Sequence, residues 1–190
     1  RTAGGRPRRV DASGGPALDN GQPILIGAYS ATLALMRELG VQPEAGMLRT
    51  PLQLRFADGG GLALPRLPAP LDLVVGILGA QGWIWRDKSS LLRTALAWRA
   101  ARFQCESHTT VADLCTSLTP RVTKELIEPL CVSALNTPVA QSSGQVFLRV
   151  LHDALFAERG GADLLLPRLD LGRLVPDAAA DWLVREVAPV

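Results

Sequence analysis

A chain of 190 residues, 47% hydrophobic and 20% charged, is long enough to bury a core and predicts one domain. Its formal charge of +2 is too small for a nucleic-acid surface, and four arginines among the first nine residues supply much of the local excess. Cys105, Cys115 and Cys131 form no Cys-x-x-Cys pair, and only His108 and His152 could join them at a metal. They therefore read as structural or free thiols in a reducing compartment.

The basic start runs into Gly, Pro and Asp where a secretory signal needs an apolar stretch. Beginning at Arg1 without an initiator methionine, the sequence is expected to be a piece of a longer protein. Gly4-Gly5-Arg6, ringed by Arg1, Arg8 and Arg9, reads either as a backbone cradle for a phosphate or as a flexible basic terminus. Residues 11 to 20, with Gly14-Gly15-Pro16, predict a turn between two short extended pieces. Ile24 to Ile26 is extended or leads into a helix over Tyr29 to Leu39, where Leu33, Met36 and Leu39 keep helical spacing and Gly40 supplies the stop.

Leu52 to Phe56 alternates with period two, Asp58-Gly59-Gly60-Gly61 turns, and Leu62 to Leu64 returns, which predicts a β-hairpin with Leu52, Leu54 and Phe56 facing a core. Pro65, Pro68 and Pro70 then break the chain. Leu73 to Trp85 carries no charge, and thirteen residues are too few to span a bilayer. The segment reads as a buried helix ending at Gly79 or Gly82, or as an interfacial segment whose tryptophans sit beside Arg86 and Lys88 at a headgroup boundary. In both readings it walls an apolar space.

A helix is predicted from Asp87, as its cap, to about Phe103, with Leu91, Leu92, Ala95, Leu96 and Trp98 on its apolar face. Thr109 or Thr110 caps a shorter helix through Ser117. Thr119-Pro120 opens another that Pro129 kinks or ends. Thr137-Pro138 repeats the start signal for an amphipathic helix running through Val146, Phe147, Val150, Leu151, Leu155 and Phe156 to Gly160. His152 on it reads as a surface or satisfied core residue. Leu164 to Leu166 predicts a short buried strand, and Pro176 starts a last helix carrying Trp182, Leu183 and Val187. The sum is an α+β fold, mostly helical with a small sheet or hairpin.

No nucleophile-and-base arrangement and no Gly-x-x-x-x-Gly-Lys-Ser/Thr is legible, so the residues point to a cofactor edge beside an apolar chamber. Gly4-Gly5-Arg6 resembles the glycine-pair motif that follows the dinucleotide-binding unit of amine-oxidase-like flavoproteins. With Asp19-Asn20-Gly21-Gln22 through Tyr29, Glu128-Pro129-Leu130-Cys131, Ala134 to Pro138, Gln145-Val146-Phe147 and Asp163 to Arg168, nearly the whole chain resembles the squalene-associated FAD-dependent desaturases, the hydroxysqualene dehydroxylases of bacterial hopanoid biosynthesis.

That resemblance implies FAD as cofactor, contacted by Gly4, Gly5, Arg6, Asp19, Asn20, Gly21 and Gln22. It implies a linear apolar isoprenoid as substrate, with hydroxysqualene reduced to squalene, and names no catalytic residue. Residues 1–28 become one edge of the flavin site and 29–190 a substrate-binding domain, the complete FAD-binding Rossmann unit being absent from this sequence. The 190-residue chain alone is then expected to be inactive and to bind FAD weakly. Leu54, Phe56, Val75, Leu78, Trp83 and Trp85 are the candidate substrate-pocket residues. Pro23 stands where the family usually has histidine, which removes a proton donor and a backbone N–H together.

The expected location is the cytoplasm, with peripheral contact on the inner face of a bacterial membrane. No metal and no nucleic acid are expected. Within the same class a carotenoid desaturase or an amine oxidase competes, although one tyrosine and long apolar segments suit an isoprenoid better than an amine. From another class, a non-enzymatic helical module holding an apolar ligand or partner remains open.

Overall fold

The computed structural model describes residues 9–10, 18–19, 24–56 and 58–187. Short strands β1 (Arg9–Val10) and β2 (Leu18–Asp19) pair antiparallel with Arg9 opposite Asp19; the turn expected between them, at 11–17, lies outside the described residues. After β3 (Leu25–Ile26) comes α1 (Ser30–Glu38). It ends as predicted at Gly40, which adopts φ 81° while Gly40 and Val41 donate back to the carbonyls of Arg37 and Met36. This is a Schellman close, and glycine fits its left-handed slot without a Cβ penalty.

α2 (Pro43–Gly46) leads into β4 (Met47–Thr50), an element with too little alternation to be read in sequence. The hairpin forms as β5 (Gln53–Arg55) and β6 (Gly61–Ala63). α3 (Leu71–Gly79) and α4 (Trp85–Ala100) follow. α4 starts two residues before the expected cap, and Asp87 instead reaches back from inside the first turn to accept the Ile84 N–H at 3.1 Å. Thr110 caps α5 (Val111–Leu114), and Thr119 caps α6 (Pro120–Val122).

The helical run does not end at Pro129. A π-helical turn, Thr123–Ile127, joins α6 to α7 (Glu128–Leu135) and loosens the backbone where a proline ring would otherwise meet the carbonyl four residues back. Thr137-Pro138 opens only turns; the helix predicted there starts later, at α8 (Gly144–His152) under a Ser143 cap, and closes in a second π-helical turn, Asp153–Ala157. β7 (Leu164–Pro167), α9 (Leu171–Leu174) and α10 (Pro176–Glu186) complete the chain.

The fold is α+β as expected, but it packs as two compact units where length predicts one. The first comprises Arg1–Thr50 and Asp163–Val190. Its sheet has the order β3-β7-β4, entirely antiparallel, with Leu48 opposite Leu166 and Leu25 opposite Leu165. Leu33 and Met36 of α1 pack with Met47, Leu165 and Leu174 into a small core. Arg49 Nε donates to Asp163 Oδ2 at 2.7 Å, tying β4 to the start of β7. The return of β7 onto β4 closes this unit and leaves residues 51–162 as an insertion. The packing boundaries therefore fall at 50/51 and 162/163, and the boundary at 28 expected from the resemblance lies inside the first unit.

The second unit, Pro51–Ala162, holds the larger core. The hairpin lies against α3, where Gly76 permits close approach: a Cβ there would sit 2.7 Å from Leu64 Cδ2 and 3.0 Å from the Ala63 carbonyl oxygen. Ile77, Val111, Val122, Cys131 and Phe147 have essentially no exposed surface.

Candidate functional site

The second unit contains a cavity of about 40 Å³ lined by apolar side chains alone. Leu52, Leu62 and Leu64 come from the hairpin region, Leu73 and Ile77 from α3, and Leu91, Ala95 and Trp98 from α4. The opposite wall is Leu126 and Ile127 of the first π-helical turn with Leu130 of α7, then Leu151 of α8 with Leu155 and Phe156 of the second π-helical turn. Both π-helical turns therefore front the same space, and such turns are frequent at functional sites.

Polar straps hold the walls from outside. Trp83 Nε1 donates to Glu125 Oε2 at 2.8 Å, while Arg121 bridges Glu125 Oε1 at 2.9 Å and Asp58 Oδ2 at 3.0 Å, so the hairpin turn, the segment between α3 and α4, α6 and the first π-helical turn share one network. Buried Asp87 accepts the Thr119 hydroxyl at 2.6 Å and joins α4 to α6. These carboxylates are consumed by structural partners.

The six expected pocket residues do not come together there. Leu54 is half-buried beside a groove of about 100 Å³ at the hairpin, and Phe56 is half-buried at its turn. Trp83 is buried, 5% exposed, and engaged with Glu125, whereas Trp85 is 69% exposed. Val75 and Leu78 face outward because α3 buries Leu73, Gly76 and Ile77 instead. The expectation that Leu73 to Trp85 walls an apolar space is met through Leu73 and Ile77, while Val75, Leu78, Ile84 and Trp85 of the same segment are exposed. The missed lining residues Leu126, Ile127, Leu151 and Leu155 carried a signal, an apolar stripe on each side of the turns, but nothing in sequence aimed it.

Of the residues expected at FAD, Gly4, Gly5, Arg6, Asn20, Gly21 and Gln22 lie outside the described residues, as does Pro23. Asp19 is placed by its backbone, in β2 opposite Arg9.

Among the described residues no cluster of His, Cys, Asp and Glu is arranged to hold a metal. Burial pushes the Cys115 thiol up to about 12, with the neighbouring Cys131 and Glu128 adding to the effect. Cys131 is fully buried and its thiol lies 3.2 Å from Ser142 Oγ, so neither is placed as a nucleophile. His152 packs edge-on against Phe103, ring centroids 5.1 Å apart, with Nδ1 2.9 Å from Asp153 Oδ1. The Arg149 guanidinium, and after it His152, hold the Asp153 carboxyl below its usual range.

The chain matches no protein-family model and no curated protein.

Proposed function

We propose that this chain supplies the substrate side of an FAD-dependent oxidoreductase acting on a linear isoprenoid, with hydroxysqualene reduced to squalene as its reaction. The observation that carries the reading is the wholly apolar cavity between the hairpin, α3, α4 and the two π-helical turns. A hydrocarbon chain needs such walls, and a polar substrate would leave its own groups unpaired there. The motif resemblance supplies the cofactor, and the pairing of Arg9 with Asp19 supports one shared flavin edge.

Magnitude sets a condition. Ligand sites usually occupy ~300–1,000 Å³, so a cavity of about 40 Å³ must open before a triterpene enters. The π-helical turns are the walls best suited to move, since their backbone bonding is already loosened. In the reaction the allylic C–O bond breaks, a C–H bond forms, and the hydroxyl leaves as water with one proton from solvent. Bound FAD, once reduced, supplies the hydride. Leu126, Ile127, Leu151 and Phe156 orient the chain and exclude water from the electron-deficient carbon.

Contact with an anionic membrane belongs to the same reading. Leu71, Val75 and Leu78 form an outward stripe on α3, and Ile84 and Trp85 at the start of α4 are exposed as well. Lys88 Nζ donates to the Leu78 carbonyl at 2.7 Å, which brings a cation beside that stripe. From residue 65 to 95 the acids Asp72 and Asp87 are buried, while Arg66, Arg86 and Arg93 are exposed. An apolar face rimmed by cations suits an anionic headgroup layer. Among the described residues no helix is long and apolar enough to cross a membrane.

The test is turnover by the full-length protein with FAD and a chemical reductant. Squalene formed from hydroxysqualene, detected by mass spectrometry, supports the reading; flavin oxidation without squalene overturns the reaction, and absence of flavin binding overturns the class.

A further inference from the structure

Two adjoining grooves in the second unit, of about 350 and about 360 Å³, share Arg102, Phe103 and His152. One continues to Gln104, Gln145 and Arg149, the other to Arg99, Pro70 and Phe156, and no carboxylate lines either. Arg149 and His152 are both held by Asp153. Arg99 and Arg102 have no side-chain partner among the described residues.

The backbone singles out Arg102. α4 closes in the same Schellman pattern as α1: the Arg102 and Phe103 N–H groups donate to the carbonyls of Arg99 and Trp98 at 2.9 and 2.8 Å. Where α1 places Gly40 in the left-handed slot, α4 places Arg102, at φ 52°, followed by Phe103 at φ 55°. Phe103 is accounted for by burial against His152 and Phe156. Arg102 is exposed, so packing does not account for a side chain in a slot that glycine fills at lower cost. Gln145 fixes the turn from below, its Nε2 donating to the Phe103 carbonyl and its Oε1 accepting the Cys105 N–H, both at 3.0 Å.

We propose that these grooves form a binding site for a phosphate or diphosphate group on an organic ester. Arg102 and Arg99 are the principal donors, and Arg149 completes the second wall. Guanidinium forks match phosphate oxygens, and the two without a carboxylate partner, Arg99 and Arg102, suit an anionic group, while Arg149 stays paired with Asp153. Pro70 and Phe156 give the organic portion an apolar wall. The assignment does not depend on FAD, and of its residues Phe156 alone also lines the apolar cavity.

Calorimetric titration of the full chain with inorganic diphosphate, and co-sedimentation with phosphatidic-acid against phosphatidylcholine vesicles, test it. Wild type is expected to bind in at least one arm, with affinity reduced about tenfold in Arg102→Gln and Arg102→Gly and partly restored in Arg102→Lys. Arg102→Gly keeps the turn, so its loss of binding is separable from unfolding, which circular dichroism checks. Arg102-dependent binding of diphosphate marks a soluble ester as the source; dependence seen only with phosphatidic-acid vesicles marks a lipid headgroup. No binding by wild type in either arm, or equal binding by wild type and Arg102→Gln, overturns the proposal.

Discussion

Replacing Trp83 by Phe and, separately, Trp85 by Ser separates the two faces of the uncharged segment. Trp83 is 5% exposed and its indole N–H meets a carboxylate at 2.8 Å. A hydrogen bond to a charged group contributes ~1.5–3 kcal/mol, and the smaller phenyl ring leaves part of a packed slot empty at a further ~1 kcal/mol. Trp83→Phe should therefore destabilise by about 3 kcal/mol. Trp85, 69% exposed, belongs with surface positions where substitution stays within ~0.5 kcal/mol. The order reverses in flotation with anionic vesicles: Trp85→Ser should release the protein while Trp83→Phe, still folded, should not. Guanidinium denaturation followed by circular dichroism reads the first effect. Equal destabilisation by both changes, or membrane binding untouched by Trp85→Ser, would refute the division of faces.

Other outcomes follow from the same contacts. At pH 8 under native conditions an aromatic disulfide reagent should modify Cys105 and spare Cys115 and Cys131. A rise in thiol pKa from 9.0 to about 12 cuts the Cys115 thiolate by about a thousandfold, and rapid native labelling of Cys115 would contradict its burial. Gly76→Ala gains ~1 kcal/mol of helix propensity but drives a methyl into Leu64 and the Ala63 carbonyl, an overpacking cost of ~1–3 kcal/mol; net destabilisation is expected, and a stabilised variant would contradict the close approach of α3 to β6.

Hydrogen bonds from Thr110 hold the Asp113 carboxyl below its ordinary value of 3.8. Its contribution is therefore complete above that pH and is lost as pH falls through the lower folded value. Carboxyl titration by NMR should give a midpoint below 3.8, and a midpoint above it would remove the cap from the account. Arg102→Gly should raise stability by ~1 kcal/mol by relieving the left-handed slot, and a lower denaturation midpoint would remove the strain from the argument.

The sequence carried most of the elements because their signals are local. Gly40 marks the end of α1, Thr110 and Thr119 cap their helices, and Asp58 to Gly61 turns the hairpin. What escaped it depends on distant partners. β4 is a strand because β7 returns to it, and the same pairing splits the chain into two units. Pro129 reads as a break because proline opposes α-geometry, and a π-helical turn absorbs it instead. Trp83 and Trp85 are chemically alike and two residues apart, and what distinguishes them, the core around Trp83 and its bond to Glu125 42 residues away, is distant in sequence. Arg102 carried no stop signal, since glycine is the residue that sequence reading associates with its slot.

Photolabelling of the full-length protein with a diazirine-bearing linear triterpene, competed by unlabelled hydroxysqualene, tests most directly whether the cavity receives the substrate. Competed labels on Ile127, Leu151 and Phe156, the walls formed by the two π-helical turns and α8, are the predicted result. Competed labels confined to Val75, Leu78 and Trp85 on the outer face, or labelling that hydroxysqualene leaves unchanged, would contradict it.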